Sequence, residues 1–212
     1  MKRIVRLIPC VLIVIALSLF AFTACSGVET MEIGTYKDSE GFVYSINKIV
    51  DEDGVTIDHF AKVIGYEGEK EMITVPASVH FPDLDEDISV TIIAGLAFYN
   101  LNVKNVIISE GITKIDNFAF GYSAIMGVDI PSTIEYIGDW SFVNCKALKE
   151  VIIRAETSPE LGTYAFKYYD ADGSRDYEVN PGLKIKVPSI SAYQTDNVLN
   201  NWIEYQDNLE EV

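Results

Sequence analysis

From about residue 90 onward, apolar residues return along this chain at a fixed step. Three windows align: "VTIIAGLAFYNLNVKNVIIS", "EGITKIDNFAFGYSAIMGVDIP" and "STIEYIGDWSFVNCKALKEVIIR". Ile93, Ile115 and Ile137 are 22 residues apart, and Phe98, Phe120 and Phe142 keep the same step. Val106 and Val128 also differ by 22, and Val151 follows 23 later. A weaker fourth copy ends in "GTYAF", with Phe166 placed 24 after Phe142. Within "NVIIS", "VDIP" and "EVIIR" the apolar positions alternate: Val106 and Ile108, Val128 and Ile130, Val151 and Ile153. Alternation with a period of two predicts short strands with one face turned inward. "DNFAF" and "DWSF" predict turns or short helices that place a small residue just before an inward Phe.

A unit of this length cannot bury its own apolar face. Stacked units can, by setting Ile on Ile, Phe on Phe and Val on Val, so the pattern predicts a solenoid. The outward positions of its strands are then Thr74, Ile107, Asp129, Ile152 and Lys186, a candidate binding face with Ile107 and Ile152 as exposed apolar side chains.

These residues resemble the BspA-like leucine-rich repeats of bacterial surface proteins. The family pattern runs roughly Ile-x-x-Ile-x-x-x-Ala-Phe-x-x-Cys-x-x-Leu-x-x-Val-x-Ile-Pro. "IEYIGDWSFVNCKALKEVII" (Ile134 to Ile153) follows it nearly throughout, with Ser141 in the Ala position and Arg154 in the Pro position. Ser123 and Leu101 stand in the Cys position of the other two copies. The resemblance implies a mainly β fold with short helices and turns: a right-handed leucine-rich-repeat solenoid closed by an N-terminal β cap and a C-terminal helical cap. It also implies a cell-surface protein that binds proteins or glycans without catalysis. A structural or accessory lipoprotein of an envelope complex is the alternative, and a metal-dependent hydrolase ranks third.

The flanks supply the ends. "GFVYSIN", "VTIDHFAKVIGYEGEKEMITVP" and "ISVTII" predict short strands, with a turn at "GYEG" and a connection tip at "DLDED". They would cover the open edge of the first repeat. "LKIKVP" predicts a last strand, and "SAYQTDNVLNNWIEY" a terminal helix with Tyr193, Val198, Trp202 and Tyr205 on its apolar side.

The first residues have a different pattern. Lys2, Arg3 and Arg6 precede the uncharged run Leu7 to Phe20, and small residues follow before Cys25. Basic region, apolar region and small-residue site in that order mark an export signal. "FTAC" resembles a bacterial lipobox at Thr23, Ala24 and Cys25 and departs from it at Phe22, where Leu is usual. The resemblance implies lipidation at Cys25 and a membrane anchor; an uncleaved apolar anchor or an ordinary signal is the other reading. The organisation expected is a signal at 1–24, a tether at 25–36, an N-terminal β cap at 37–90, repeats at 91–190 and a C-terminal cap at 191–212.

Charge narrows the partners. Removing Lys2, Arg3 and Arg6 from the 16 basic residues leaves 13 against 32 acidic ones, a net charge of −19. Such a surface repels nucleic acid and anionic headgroups. Of three cysteines, Cys10 leaves with the signal and Cys25 would carry lipid, so Cys145 has no intrachain partner and the fold rests on its core rather than on a disulfide.

The residues offer little catalytic chemistry. His59 and His80 have no metal-ligand spacing to another His or Cys. No nucleophile elbow or phosphate-binding glycine loop occurs. Cys145 falls in the repeat's structural Cys column and reads as a small buried hydrophobe. "YYDADGSRDYE" holds Asp170, Asp172, Asp176 and Glu178, but its Gly173 stands fourth and its Glu ninth in the count of a calcium loop, so it reads as an acidic surface loop. "DEDG" (Asp51 to Gly54) reads as a hairpin turn. No cofactor or metal is expected.

Overall fold

The computed structural model describes residues 28–169, 177–180, 182–194 and 201–212. The signal at 1–24, Cys25, Val198 and the acids Asp170, Asp172 and Asp176 lie outside the described residues.

The strands are β1 (Glu29–Lys37), β2 (Phe42–Val50), β3 (Thr56–Tyr66), β4 (Met72–Val75), β5 (Ser78–Phe81), β6 (Glu86–Ile93), β7 (Asn105–Ile108), β8 (Lys114–Ile115), β9 (Gly127–Ile130) and β10 (Tyr136–Ile137). After them come β11 (Glu150–Ile153), β12 (Glu160–Leu161), β13 (Lys167–Tyr169), β14 (Tyr177–Val179), β15 (Lys184–Val187) and β16 (Leu209–Glu211). One sheet runs β1-β2-β3-β6-β8-β10-β12, with β5 added on β6. A second runs β16-β15-β11-β9-β7-β4, parallel throughout. β13 and β14 form a separate antiparallel pair.

The 22-residue step has a direct physical meaning. Each unit gives one strand to each sheet and one turn between them, so equivalent residues of successive units pair side by side. Ile73, Val106, Val128, Val151, Ile185 and Leu209 form one inward column of the second sheet. Ile93, Ile115, Ile137 and Leu161 form the matching column of the first. Between the sheets Phe98, Phe120, Phe142 and Phe166 lie ring on ring, with centroids 4.8, 4.9 and 5.2 Å apart. The small residues before them (Ala97, Ala119, Ser141 and Ala165) are all buried, which leaves no room for a larger side chain in that column.

The turns that carry these Phe residues are built on left-handed backbone. Leu96, Phe118, Trp140 and Tyr164 have φ between 56° and 65°. That region costs an L-residue roughly 1–2 kcal/mol. Inter-unit bonds from the turn offset it: the amides of Phe98, Phe120 and Phe142 donate to the carbonyls of Ala119, Ser141 and Ala165 in the next unit, at 2.7 to 2.8 Å.

Both ends differ in detail from expectation. The upstream strands are long: β2 has nine residues and β3 eleven, and the "GYEG" stretch begins inside β3, which runs to Tyr66. From Glu29 the segment expected as tether is strand β1, paired with β2 along its length. β2 is the middle strand between β1 and β3, and seven of its nine residues are buried. β6 pairs with β3 on one side and with β8 on the other, so the N-terminal strands and the repeats share one sheet.

At the other end, residues 190–193 form a four-residue α-helix and residues 201–208 a 3₁₀ helix, where a longer helix was expected. The last three residues of that stretch's sequel, β16, extend the second sheet beside β15. Side chains decide this segment. Trp202 and Tyr205 are fully buried, and both meet Phe166 at the end of the ring column. Trp202 Nε1 donates to the Pro159 carbonyl at 2.7 Å, Asn201 Nδ2 to the Leu161 carbonyl at 2.8 Å and Tyr193 Oη to the Ala155 carbonyl at 2.8 Å. These bonds satisfy carbonyls that no further repeat would reach.

Candidate interaction surface

The strand alternation that turns Val106 and Ile108 inward must turn Ile107 outward. The structure places Thr74, Ile107, Asp129, Ile152 and Lys186 side by side across the second sheet, each paired in register with the next. Glu210 of β16 continues the same row and was not among the expected residues. It is legible in the sequence only once Leu209 is known to sit inward, and "NLEEV" alone carries too little alternation to show that.

The chemistry of this face is paired charge. Arg154 donates Nε and Nη2 to the two carboxylate oxygens of Asp129, at 2.8 and 2.7 Å. Lys186 reaches Glu150 at 2.6 Å, Lys184 reaches Glu210 at 2.7 Å and Lys104 reaches Glu71 at 2.6 Å. Glu150 holds the Lys186 ammonium above its ordinary range, through a hydrogen bond and its charge. Asp129 does the same to Arg154. Three cations thus meet three anions at outward positions of this sheet, with Lys104 and Glu71 paired just before its β7 and β4 strands, on a chain whose net charge is −16. Ile107 is 45% exposed, as expected, whereas Ile152 is half-buried between its register partners Asp129 and Lys186. Met72, one strand over and 64% exposed, is the larger apolar contribution to the face.

The face adjoins a cleft of about 520 Å³ at its β4 edge. Phe42, Tyr66, Ile73 and Val79 form its buried floor, and Lys70, Thr74 and His80 stand at its walls. Lys70 is ion-paired with Glu40 across it.

A second outward column has no counterpart in the strand pattern. It is the set of left-handed turn residues, Leu96, Phe118, Trp140 and Tyr164. Phe118 and Trp140 stack at 5.8 Å, and Tyr177 of β14 packs on Trp140 at 4.6 Å and on Tyr164 at 4.9 Å. Two residues before each inward Phe, an outward apolar residue recurs; that spacing was available in the sequence, but only backbone geometry shows that it points out.

The remaining candidates are structural in their surroundings. Cys145 is buried. Its thiol donates to the Phe120 carbonyl at 3.1 Å and lies 3.3 Å from Ser123 Oγ; burial pushes it up to about 11. A thiol held neutral is a poor nucleophile. His59 Nδ1 lies 3.0 Å from Glu86, and His80 Nδ1 3.0 Å from Asp87. Among the described residues no group of three or more His, Cys, Asp or Glu converges on one point. Asp51 accepts from the amides of Asp53 and Val55 and closes the β2–β3 turn. Glu178, the described acid of the candidate calcium loop, is exposed on β14.

Comparison with solved structures gives relatives of low identity. A leucine-rich repeat protein from Bacteroides capillosus is 20% identical over 84% of this chain and 98% of its own, with a TM-score of 0.42. The pneumococcal vaccine antigen PcpA is 17% identical over 63% of this chain and 47% of its own, with a TM-score of 0.35. A leucine rich cell surface protein from Faecalibacterium prausnitzii is 15% identical over 75% of this chain and 56% of its own, with a TM-score of 0.28. No curated protein matches the sequence. Residues 77–172 match the pattern described as a BspA type leucine rich repeat region, in six copies. That match begins inside the stretch expected as the N-terminal cap and ends before the last strand. The columns of Ile, Val and Phe described above fall largely within this match.

Proposed function

We propose that this is a lipid-anchored protein of the bacterial cell surface whose repeats bind a protein or glycan, without catalysis. The observation that carries the reading is the outer face of the second sheet, where Thr74, Ile107, Asp129, Ile152, Lys186 and Glu210 stand in one row. A flat sheet with its charges cancelled in pairs suits a broad partner surface better than a small enclosed substrate. The pairing also removes, on this face, the repulsion that the acidic remainder of the chain presents to an acidic partner. Met72 and Ile107 supply the apolar contacts. Cys25 supplies the anchor, and the solenoid with its two end segments supplies a rigid support.

The test is binding of the Ser26–Val212 fragment to arrays of extracellular-matrix proteins and glycans, beside an Ile107→Glu, Met72→Glu double variant. Capture by the native fragment and loss in a double variant of unchanged melting temperature support the reading. Capture that the double variant retains moves the site elsewhere. Absence of capture by both, with recovery of an envelope complex from gently solubilised cells, favours an accessory subunit.

A further inference from the structure

The end of the molecule where β1 begins gathers three chain tips. Glu29 pairs with Val50, and Val50 with Thr56, so β1 starts beside the β2–β3 turn. β3 and β6 run parallel, so the β5–β6 turn lies at the same end. The starts of β3 and β6, which directly follow the two turns, together line a shallow polar cleft of about 380 Å³ there. Four apolar side chains are exposed at this end: Met31 at 48%, Val55 at 57%, Ile57 at 51% and Leu84 at 37%. Asp51, Glu52, Asp53, Asp58, Asp83 and Asp85 lie in the same two turns and the start of β3.

We infer that this end is the bilayer-facing end of the domain, with Met31, Val55, Ile57 and Leu84 set against zwitterionic headgroups. The argument rests on the anchoring reading above and on chain length. Cys25 precedes Glu29 by four residues, which span at most about 14 Å when fully extended. An anchor at Cys25 therefore holds the three tips at the membrane surface, whatever the rest of the chain does. The uncleaved run Leu7 to Phe20 would place the bilayer at the same end. The acids bias the occupant: they repel anionic lipid within a Debye length and tolerate a surface of no net charge. Apolar tips of this size add interfacial contact without inserting a segment. The inference also fixes what faces outward. β6, β8 and β10 run away from this end into the turns of Leu96, Phe118 and Trp140, so the aromatic column stands on the membrane-distal edge.

The experiment uses the protein extracted from its own membranes and reconstituted in phosphatidylcholine vesicles that contain brominated phosphatidylcholine. Single cysteines at Val55→Cys, Leu84→Cys and Leu96→Cys carry an environment-sensitive fluorophore; Cys145 is buried and does not compete. The expected result is quenching of the probes at 55 and 84 and none at 96. Equal quenching at all three positions, or none at any, overturns the orientation. Vesicles rich in anionic phosphatidylglycerol should lower the quenching at 55 and 84; a rise there overturns the choice of zwitterionic lipid. Mass spectrometry of the mature N-terminus is read on the same sample. A lipidated Cys25 with an unquenched probe rejects the orientation alone, and an unmodified N-terminus on a protein released from the membrane rejects the anchor and the orientation together.

Discussion

The column inside the repeats and the row on their outer face are built by the same repeating units, one from the turns and one from the strands, yet they follow opposite rules. Inside, Phe98, Phe120, Phe142 and Phe166 repeat one residue type and stack nearly parallel in the first three, at interplanar angles of 8° and 5°. Outside, the row reads Thr74, Ile107, Asp129, Ile152, Lys186 and Glu210, with no residue type kept for two neighbours in succession. Packing explains the uniformity. A ring in the column touches its copies above and below, so a change of shape at one level leaves a void or a clash at two interfaces. The outer row has water over its open side, and it can vary while the stack stands. The difference teaches where this protein is free to carry specificity.

Four measurements can break or sharpen that contrast. Phe120→Ala removes the middle of the ring column and should cost about 3–5 kcal/mol in chemical denaturation. A cost under about 1 kcal/mol would mean that the stack relaxes around the gap and that the inner column is not the source of stability.

The next effect is alkaline. Burial raises the Cys145 thiol to about 11 and pushes the phenols of Tyr44, Tyr193 and Tyr205 above their ordinary range. The unfolded chain therefore releases these protons first, and stability present at neutral pH is lost as pH rises. For Cys145 the window runs from 9.0 to about 11 and amounts to roughly 3 kcal/mol at its upper end. Cys145→Ala should flatten the part of the stability–pH profile that lies in this window. An unchanged slope there would show that the thiol ionises inside the fold.

Ser141 tests the inner column from the other direction. It replaces Ala in the small-residue column, and its buried hydroxyl has no hydrogen-bond partner among the described residues. Ser141→Ala should stabilise the protein by about 1 kcal/mol, since the orphaned hydroxyl loses its desolvation cost and the volume hardly changes. Destabilisation by the same variant would point to a partner for that oxygen.

On the outer face Asp129→Asn should cost under about 1 kcal/mol, because the Arg154 side of the pair is half in water and salt-screened. The loss should vanish in high salt. A cost near that of a core variant would place the outer row among the determinants of the fold.

Much of this was legible in the residues. The 22-residue columns gave the strands, their inward faces, the stacked Phe residues and the outward row as far as Lys186, because a period-two alternation inside a longer repeat leaves each side chain only one possible side. The same reading missed what depends on backbone or on distant partners. Nothing local announces that Leu96, Phe118, Trp140 and Tyr164 turn outward, since their direction comes from left-handed φ values held by bonds to the next repeat. Nor does local pattern end the terminal helix early: Trp202 and Tyr205 were expected on its apolar side, but their burial against Phe166 shapes the chain around them into a 3₁₀ helix and a strand.

The sequence by itself determined the repeat, the inward and outward sides of the repeat strands, the acidic balance and the place of Cys25, because periodicity and charge are properties of residue order. Tertiary structure alone decided that β1 is a strand paired with β2 from Glu29 onward, that three cations find three anions on one sheet face, and that the β2–β3 and β5–β6 tips meet beside the start of the domain. Each of these depends on which strands pair and how units stack, which no local run of residues specifies.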